Sequence, residues 1–193
     1  QPSISATNTM NYITMSTLGN AADFGDQQAE SANRGSASNS VRAVIGESGA
    51  ATFLTIATLG NTQDFADSIG DRGYQTACAS PTRVVWGGGE TAPPLNTMDY
   101  VSIMSAGNAI DFGDTSHTNT TGSMGAASPT RGIIGGGSPS PITDAIDYVT
   151  ISTLGNGADF GNLTDSRYSG GSCSNAVRAV FGGGWSPGHT TLI

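Results

Sequence analysis

The residues of this chain that could do chemistry are mostly aspartates set in a recurring word. Asp-Phe-Gly occurs in "ADFGDQQ" from Ala22 and returns as "QDFADSI", "IDFGDTS" and "ADFGNLT" at Gln63, Ile110 and Ala158. An aspartate in that word can hold Mg²⁺ over a nucleotide's phosphates, but only beside a glycine-rich loop, a strand lysine and a catalytic loop. All seven basic residues here are arginines. The pairs Asp23 with Asp26 and Asp111 with Asp114 could offer oxygen ligands to Ca²⁺, yet no calcium-loop spacing surrounds them and Asn162 replaces the second carboxylate in the last unit. The reading is that these words build structure, with no metal and no cofactor.

Nucleophilic or acid-base catalysis finds little to work with. There are two histidines, His117 and His189, no Gly-x-Ser-x-Gly elbow and no phosphate loop leading into a helix. A non-enzyme is expected. The net charge of −8 argues against a nucleic-acid partner, which needs a basic surface. No apolar run approaches the ~20 residues of a spanning helix, so membrane insertion is not expected. The sequence opens at Gln1 without Met, as a processed product or an excerpt would.

What must position such residues is a repeat. Gly19-Asn20, Gly60-Asn61, Gly107-Asn108 and Gly155-Asn156 are spaced by 41, 47 and 48 residues, a period typical of repeat folds. An aromatic residue precedes each glycine by seven positions: Tyr12, Phe53, Tyr100 and Tyr148. Asp23, Asp64, Asp111 and Asp159 follow, each before Phe, and then one arginine per unit, Arg42, Arg83, Arg131 and Arg178. Four residues beyond each arginine a glycine opens a turn.

Each unit reads as four short strands. In "MDYVSI" Met98 and Tyr100 alternate with Val101 and Ile103, so both faces must be covered. Gly-Asn suggests a tight hairpin, and the small residues of "SMGAAS" and "TACAS" suit a crowded innermost strand. No useful helical period appears. Four-stranded sheets covered on both faces and repeated radially describe an all-β, four-bladed β-propeller. Its blades would run over about 27–67, 68–114 and 115–162, with 163–193 plus 1–26 closing the last blade two strands to two; the whole chain, 1–193, is one domain. The competing arrangement joins the terminal pairs of different molecules head to tail.

An apolar strand ending in Gly-Gly, a loop, an aromatic-bearing strand and a further aromatic a dozen residues on resembles the kelch repeat, most clearly from "RVVWGGG" to Phe112 and from "RGIIGGG" to Phe160. Phe stands where that family usually has Trp. The fuller word, Ile-Asp-Tyr-Val-Thr-Ile through Gly-Asn to Asp-Phe-Gly, is similar to repeats in predicted virion and tail-fibre proteins of environmental phages. The resemblance implies an extracellular or virion structural subunit whose partners are other structural subunits or itself. The alternative is a module that binds surface glycan or protein, and the third reading is a propeller glycosidase or lyase.

Repeated residues serve the blade, so the four Asp and four Arg are assigned to Asp-to-Arg or Asp-to-backbone bonds. Cys78 and Cys173 replace alanines of the innermost strand and are expected as free thiols, and Trp86 as core. Asn119 and Asn162 are sequons that the composition alone accounts for. Function is sought where the units differ, on the loop face that carries Arg72, Tyr74, His117, Arg167, Tyr168, Trp185 and His189.

Overall fold

The structure, a computed structural model, describes residues 5–47, 49–67, 70–90, 95–118, 120–138 and 141–187. Every named element among them is a strand. Three four-stranded antiparallel meanders follow one another: β3 (Ser36–Ser38), β4 (Arg42–Gly46), β5 (Ala50–Thr55) and β6 (Gln63–Asp67); then β7 (Thr76–Ala79), β8 (Arg83–Gly87), β9 (Thr97–Ser102) and β10 (Ile110–Asp114); then β11 (Met124–Ala127), β12 (Arg131–Gly137), β13 (Thr143–Thr150) and β14 (Ala158–Asn162). Before them stands the pair β1 (Thr7–Tyr12) and β2 (Ala22–Ser31), and after them the pair β15 (Gly171–Ser174) and β16 (Ala179–Gly182). These two pairs are separate two-stranded sheets, so the two-plus-two blade expected from the sequence is not joined in the structure.

The first strands β3, β7, β11 and β15 lie against one another in succession, which places the small residues where consecutive sheets come closest. Bulk is excluded there by backbone: a Cβ on Gly125 would lie 2.3 Å from the Ala77 carbonyl oxygen. Between β15 and β11 the contact is hydrogen-bonded, with Ser172 Oγ donating to Gly125 O at 2.6 Å and Ser174 Oγ to Ala127 O at 2.7 Å.

Period-two alternation sends the rest of each strand to two different neighbours. Val84, Trp86, Val101 and Ile103 face the preceding sheet and pack on Val44, Ala51, Phe65 and Ala66. Val85, Met98, Tyr100 and Phe112 face the following sheet and pack with Ile134, Val149 and Ile151. Trp86 is core, its indole N–H donating to Gly35 O at 3.1 Å. Each core is thus an inter-blade layer, shared by two consecutive sheets.

The repeated polar residues act within and between these layers. Arg42, Arg83 and Arg131 lie over the rings of Phe53, Tyr100 and Tyr148 at 4.5, 4.5 and 4.6 Å. Arg42 and Arg83 also donate to the carbonyls of Ile103 and Ile151 in the next sheet, at 3.4 and 2.9 Å. The aspartates turn to backbone: Asp23, Asp111 and Asp159 accept from the N–H two residues on, at Gly25, Gly113 and Gly161. That bond shapes a bulge beside the Phe, where the strand register slips. Of the two bonds expected, Asp-to-backbone forms, and the repeat arginines take aromatic rings where Asp-to-Arg pairing was the other option.

Gly-Asn is not the hairpin turn. The turn closes earlier, at Thr58 N to Thr55 O, Ser105 N to Ser102 O and Thr153 N to Thr150 O. The Gly-Asn segment then runs along the outer strand of the preceding sheet and bonds to it. Gly60 N donates to Phe24 O at 2.8 Å, Asp26 N to Asn61 Oδ1 at 3.0 Å and Thr62 N to Asp26 O at 2.9 Å. Gly155, Asn156 and Gly157 repeat this on Phe112 and Asp114, at 2.9, 3.1 and 2.7 Å. The approach is so close that a Cβ on Gly25 would lie 2.5 Å from Gly60 backbone, and one on Gly113 would lie 2.7 Å from Gly155. Where the word reads Asp-Phe-Ala, at Ala66, the first two bonds of the latch lengthen to 3.5 and 3.3 Å.

Gly113→Ala therefore meets both a backbone contact and a φ of 134°. It should lower unfolding stability by about 2–3 kcal/mol, measured by urea denaturation. An unchanged midpoint would mean that the latch gives way freely.

Candidate functional site

The variable loops are held on one face by a repeated frame. Asn33, Tyr74 and Ser169, with Gly122, adopt left-handed φ of 57°, 54°, 55° and 65° at matching positions just before the first strands. Each bonds to the one before: Tyr74 N to Asn33 O at 2.9 Å, Gly122 N to Tyr74 O at 2.9 Å and Ser169 N to Gly122 O at 2.6 Å. A tyrosine in this conformation costs about 1 kcal/mol or more and persists where its surroundings impose it. Beside this arc, bridges Gly73 to Glu90, Thr121 to Ser138 and Tyr168 to Trp185 tie each entering loop to the loop after the glycines.

Side chains from the strands anchor the loops from below. Asp99 and Asp147 occupy equivalent places in β9 and β13 and are 0% and 1% exposed. Asp147 accepts from Ser116 N at 2.6 Å and Ser116 Oγ at 2.7 Å. Asp99 pairs with Arg72, itself 2% exposed, whose Nη1 also donates to Thr97 O at 2.6 Å. This corrects the assignment of Arg72 to the binding face: a guanidinium needs a partner when buried, and its partner is a strand carboxylate. Sequence reading passed over Asp99 and Asp147. The signal was present, since an acidic residue in a strand covered on both faces must find a bonding partner.

Of the other candidates, Tyr168 and Trp185 are joined through backbone, and Tyr74 stands on the arc beside Gly122. Tyr74 is 40% exposed on the arc, Trp185 is 60% exposed, and Tyr168 is bridged to Trp185 through both backbone bonds, at 3.1 and 2.8 Å. Gly122 leaves room for the Tyr168 ring, whose Cδ2 would lie 3.4 Å from a Cβ there. Arg167 flanks them, its Nη2 3.4 Å from the Asp165 carboxylate. His117 is half-buried away from solvent at both ring nitrogens, in the loop that Ser116 anchors. His189 and Asn119 lie outside the described residues. The surface so formed offers aromatic faces for stacking on a planar or sugar ring and one guanidinium as donor.

Both cysteines are free. Cys78 is buried, and Gly132 in the next sheet makes the room, since a Cβ there would lie 2.5 Å from its Sγ. Burial pushes the Cys78 thiol from 9.0 up to about 12.

No family model and no curated protein matches the sequence. Solved structures do match. One, described as the structure of YjhT, a β-propeller-like protein, aligns with a TM-score of 0.68 at 10% identity, over 86% of this chain and 66% of that one. The likeness concerns the fold, and the chain spans just under two thirds of that protein's length.

Two outcomes follow from these buried groups. Asp99→Ala or Arg72→Ala alone should cost about 3–5 kcal/mol by stranding the other charge, while the double variant should cost less than their sum; full additivity in denaturant titrations would deny the coupling. For Cys78, both folded and unfolded thiols keep their proton below about pH 9, and above it only the unfolded chain ionises. Stability should fall from about pH 9 towards about pH 12 by about 1.4 kcal/mol per unit, and Cys78→Ala should remove that component.

Proposed function

We propose that the chain is a non-enzymatic structural module, a rigid propeller segment of a virion or extracellular fibre built from kelch-like repeats, with β15–β16 and β1–β2 as two halves of a fourth blade. The observation that carries this reading is where the repeated residues act. The repeated Arg, Asp, Gly-Asn and left-handed residues bond within their own sheet or to the next one, and most of these bonds recur from unit to unit. A surface whose repeated groups are engaged in holding sheet to sheet is suited to stiffness, and its partners are other structural subunits or further copies of itself. The resemblance of the repeat words to those of phage virion and tail-fibre proteins is in keeping with that setting.

The second reading is a glycan- or protein-binding module. It is favoured by Tyr74, Tyr168 and Trp185 on one rigid face, with Tyr74 held in a strained backbone conformation.

A glycan array with the full chain, together with the protein composition of purified source particles, separates the two. The structural reading expects a flat array and the chain as a regular constituent of particles or fibres. Specific glycan binding that disappears in Trp185→Ala or Tyr168→Ala, with the chain absent from particles, would give the molecule to the binding module.

A further inference from the structure

Both ends of the array present the inter-blade interface with half of it missing. At the C-terminal end, a cavity of about 560 Å³ opens between the third sheet and β16, lined by Ile133, Ile146, Phe160, Val177, Ala179 and Phe181 among others. In the preceding interfaces the corresponding space is filled by the third strand of the following sheet, through Val101 with Ile103 and through Val149 with Ile151. The residues at those places in the first unit are Ile13 and Met15. They are 62% and 95% exposed, whereas Ile103 and Ile151 are 0%. Ile56, whose preceding sheet has only the outer pair β1–β2, is 45% exposed, as the same rule requires.

The latch and the stacked arginine are unmatched in the same sense. Gly161 has a φ of 135°, close to the 139° of Gly25 and the 134° of Gly113, yet nothing lies within 4 Å of its Cβ position, where the other two meet Gly60 and Gly155. The Phe160–Asn162 segment is a latch site without its Gly-Asn, and Gly19-Asn20 is a Gly-Asn without its site. Arg178 stands just before β16, at the place where Arg83 starts β8, and the ring that would lie under it is Tyr12.

We propose that β1–β2 of one copy adds to β15–β16 of a second copy, head to tail, completing a four-stranded blade. The register is fixed by the internal sheets, where Val84, Val85 and Gly87 oppose Val101, Tyr100 and Met98. Ala179 then opposes Ile13, Val180 opposes Tyr12 and Gly182 opposes Met10. Ile13 and Met15 enter the cavity, Gly19-Asn20 closes on Phe160–Asn162, and Arg178 covers Tyr12. A second copy is the occupant because each terminal pair is already seated on its own neighbour, β2 through the Gly60-Asn61 latch and β15 through Ser172 and Ser174, and in that arrangement β16 and β1 do not pair. Heterologous contacts of this kind propagate until the rotation closes.

The inference deepens the structural reading above, and its test is independent of particle composition and of glycan binding. In a Cys173→Ser background, full-length Ile13→Cys and Ala179→Cys chains are mixed and oxidised; Cys78 is buried and out of reach. A disulfide between the two variants, rising with concentration and absent when Val180→Cys replaces Ala179→Cys, is expected. Met15→Asp, at a side chain open to solvent in the single chain, should abolish association in sedimentation while leaving the unfolding midpoint at low concentration unchanged. An Ile13→Cys, Ala179→Cys double variant that cross-links within a monomer, while the mixture gives nothing, would overturn the proposal in favour of a ring closed in one chain. No cross-link in either case would show that these edges do not pair.

Discussion

The structure depends on one backbone approach, the Gly-Asn segment of each unit lying along the Asp-Phe-Gly strand of the unit before. Three hydrogen bonds within one short stretch fix the outer rim of one sheet to the next. The aspartate sets the bulge that presents the Phe carbonyl and the following N–H, and the glycine removes the Cβ that would block the approach. What looks in the sequence like metal chemistry is therefore shape. The length of the first two bonds at Ala66 is a natural variant of the same geometry: one methyl is added, and the neighbour stands further off.

Much of the fold was legible because its signals are local and repeated. The period, the strand alternation and the small-residue strands each follow from residues within a unit, and the structure packs those small-residue strands against one another. Signals that act between units were harder to read. Gly-Asn obeys the grammar of a tight turn, but its bonds go to a neighbour some 35 residues away in sequence, beyond any local rule. Arg72 reads as a loop arginine until Asp99 is seen beneath it. For the candidate site, the differences between units pointed to the loop face, where Tyr74 and Trp185 are exposed and Tyr168 is bridged to Trp185. Which side chains on that face point outward was decided by buried partners that a one-dimensional reading does not pair.

Scaffold and variable face are coupled through few residues. The left-handed arc fixes where each loop enters, the bridges fix where it meets the loop after the glycines, and Asp99 or Asp147 holds it from below. Between these points the sequence is free to change. Such an arrangement lets Tyr74 and Trp185 differ from their counterparts without disturbing the blade, because the repeated contacts there are made by backbone.

Stability in a fold of this kind is a sum over neighbouring sheets, and the end sheets decide whether the array is finished. A finished array covers its terminal faces with polar residues. Here the reverse holds: Ile13, Met15, Val180 and Phe160 are exposed at the two ends, and they occupy the places that are core in the middle. The two ends are also not equivalent, since one carries third and fourth strands and the other first and second. Two identical ends would meet only by stacking, whereas complementary ones can share a sheet. The asymmetry reflects a four-strand unit divided between β15–β16 and β1–β2.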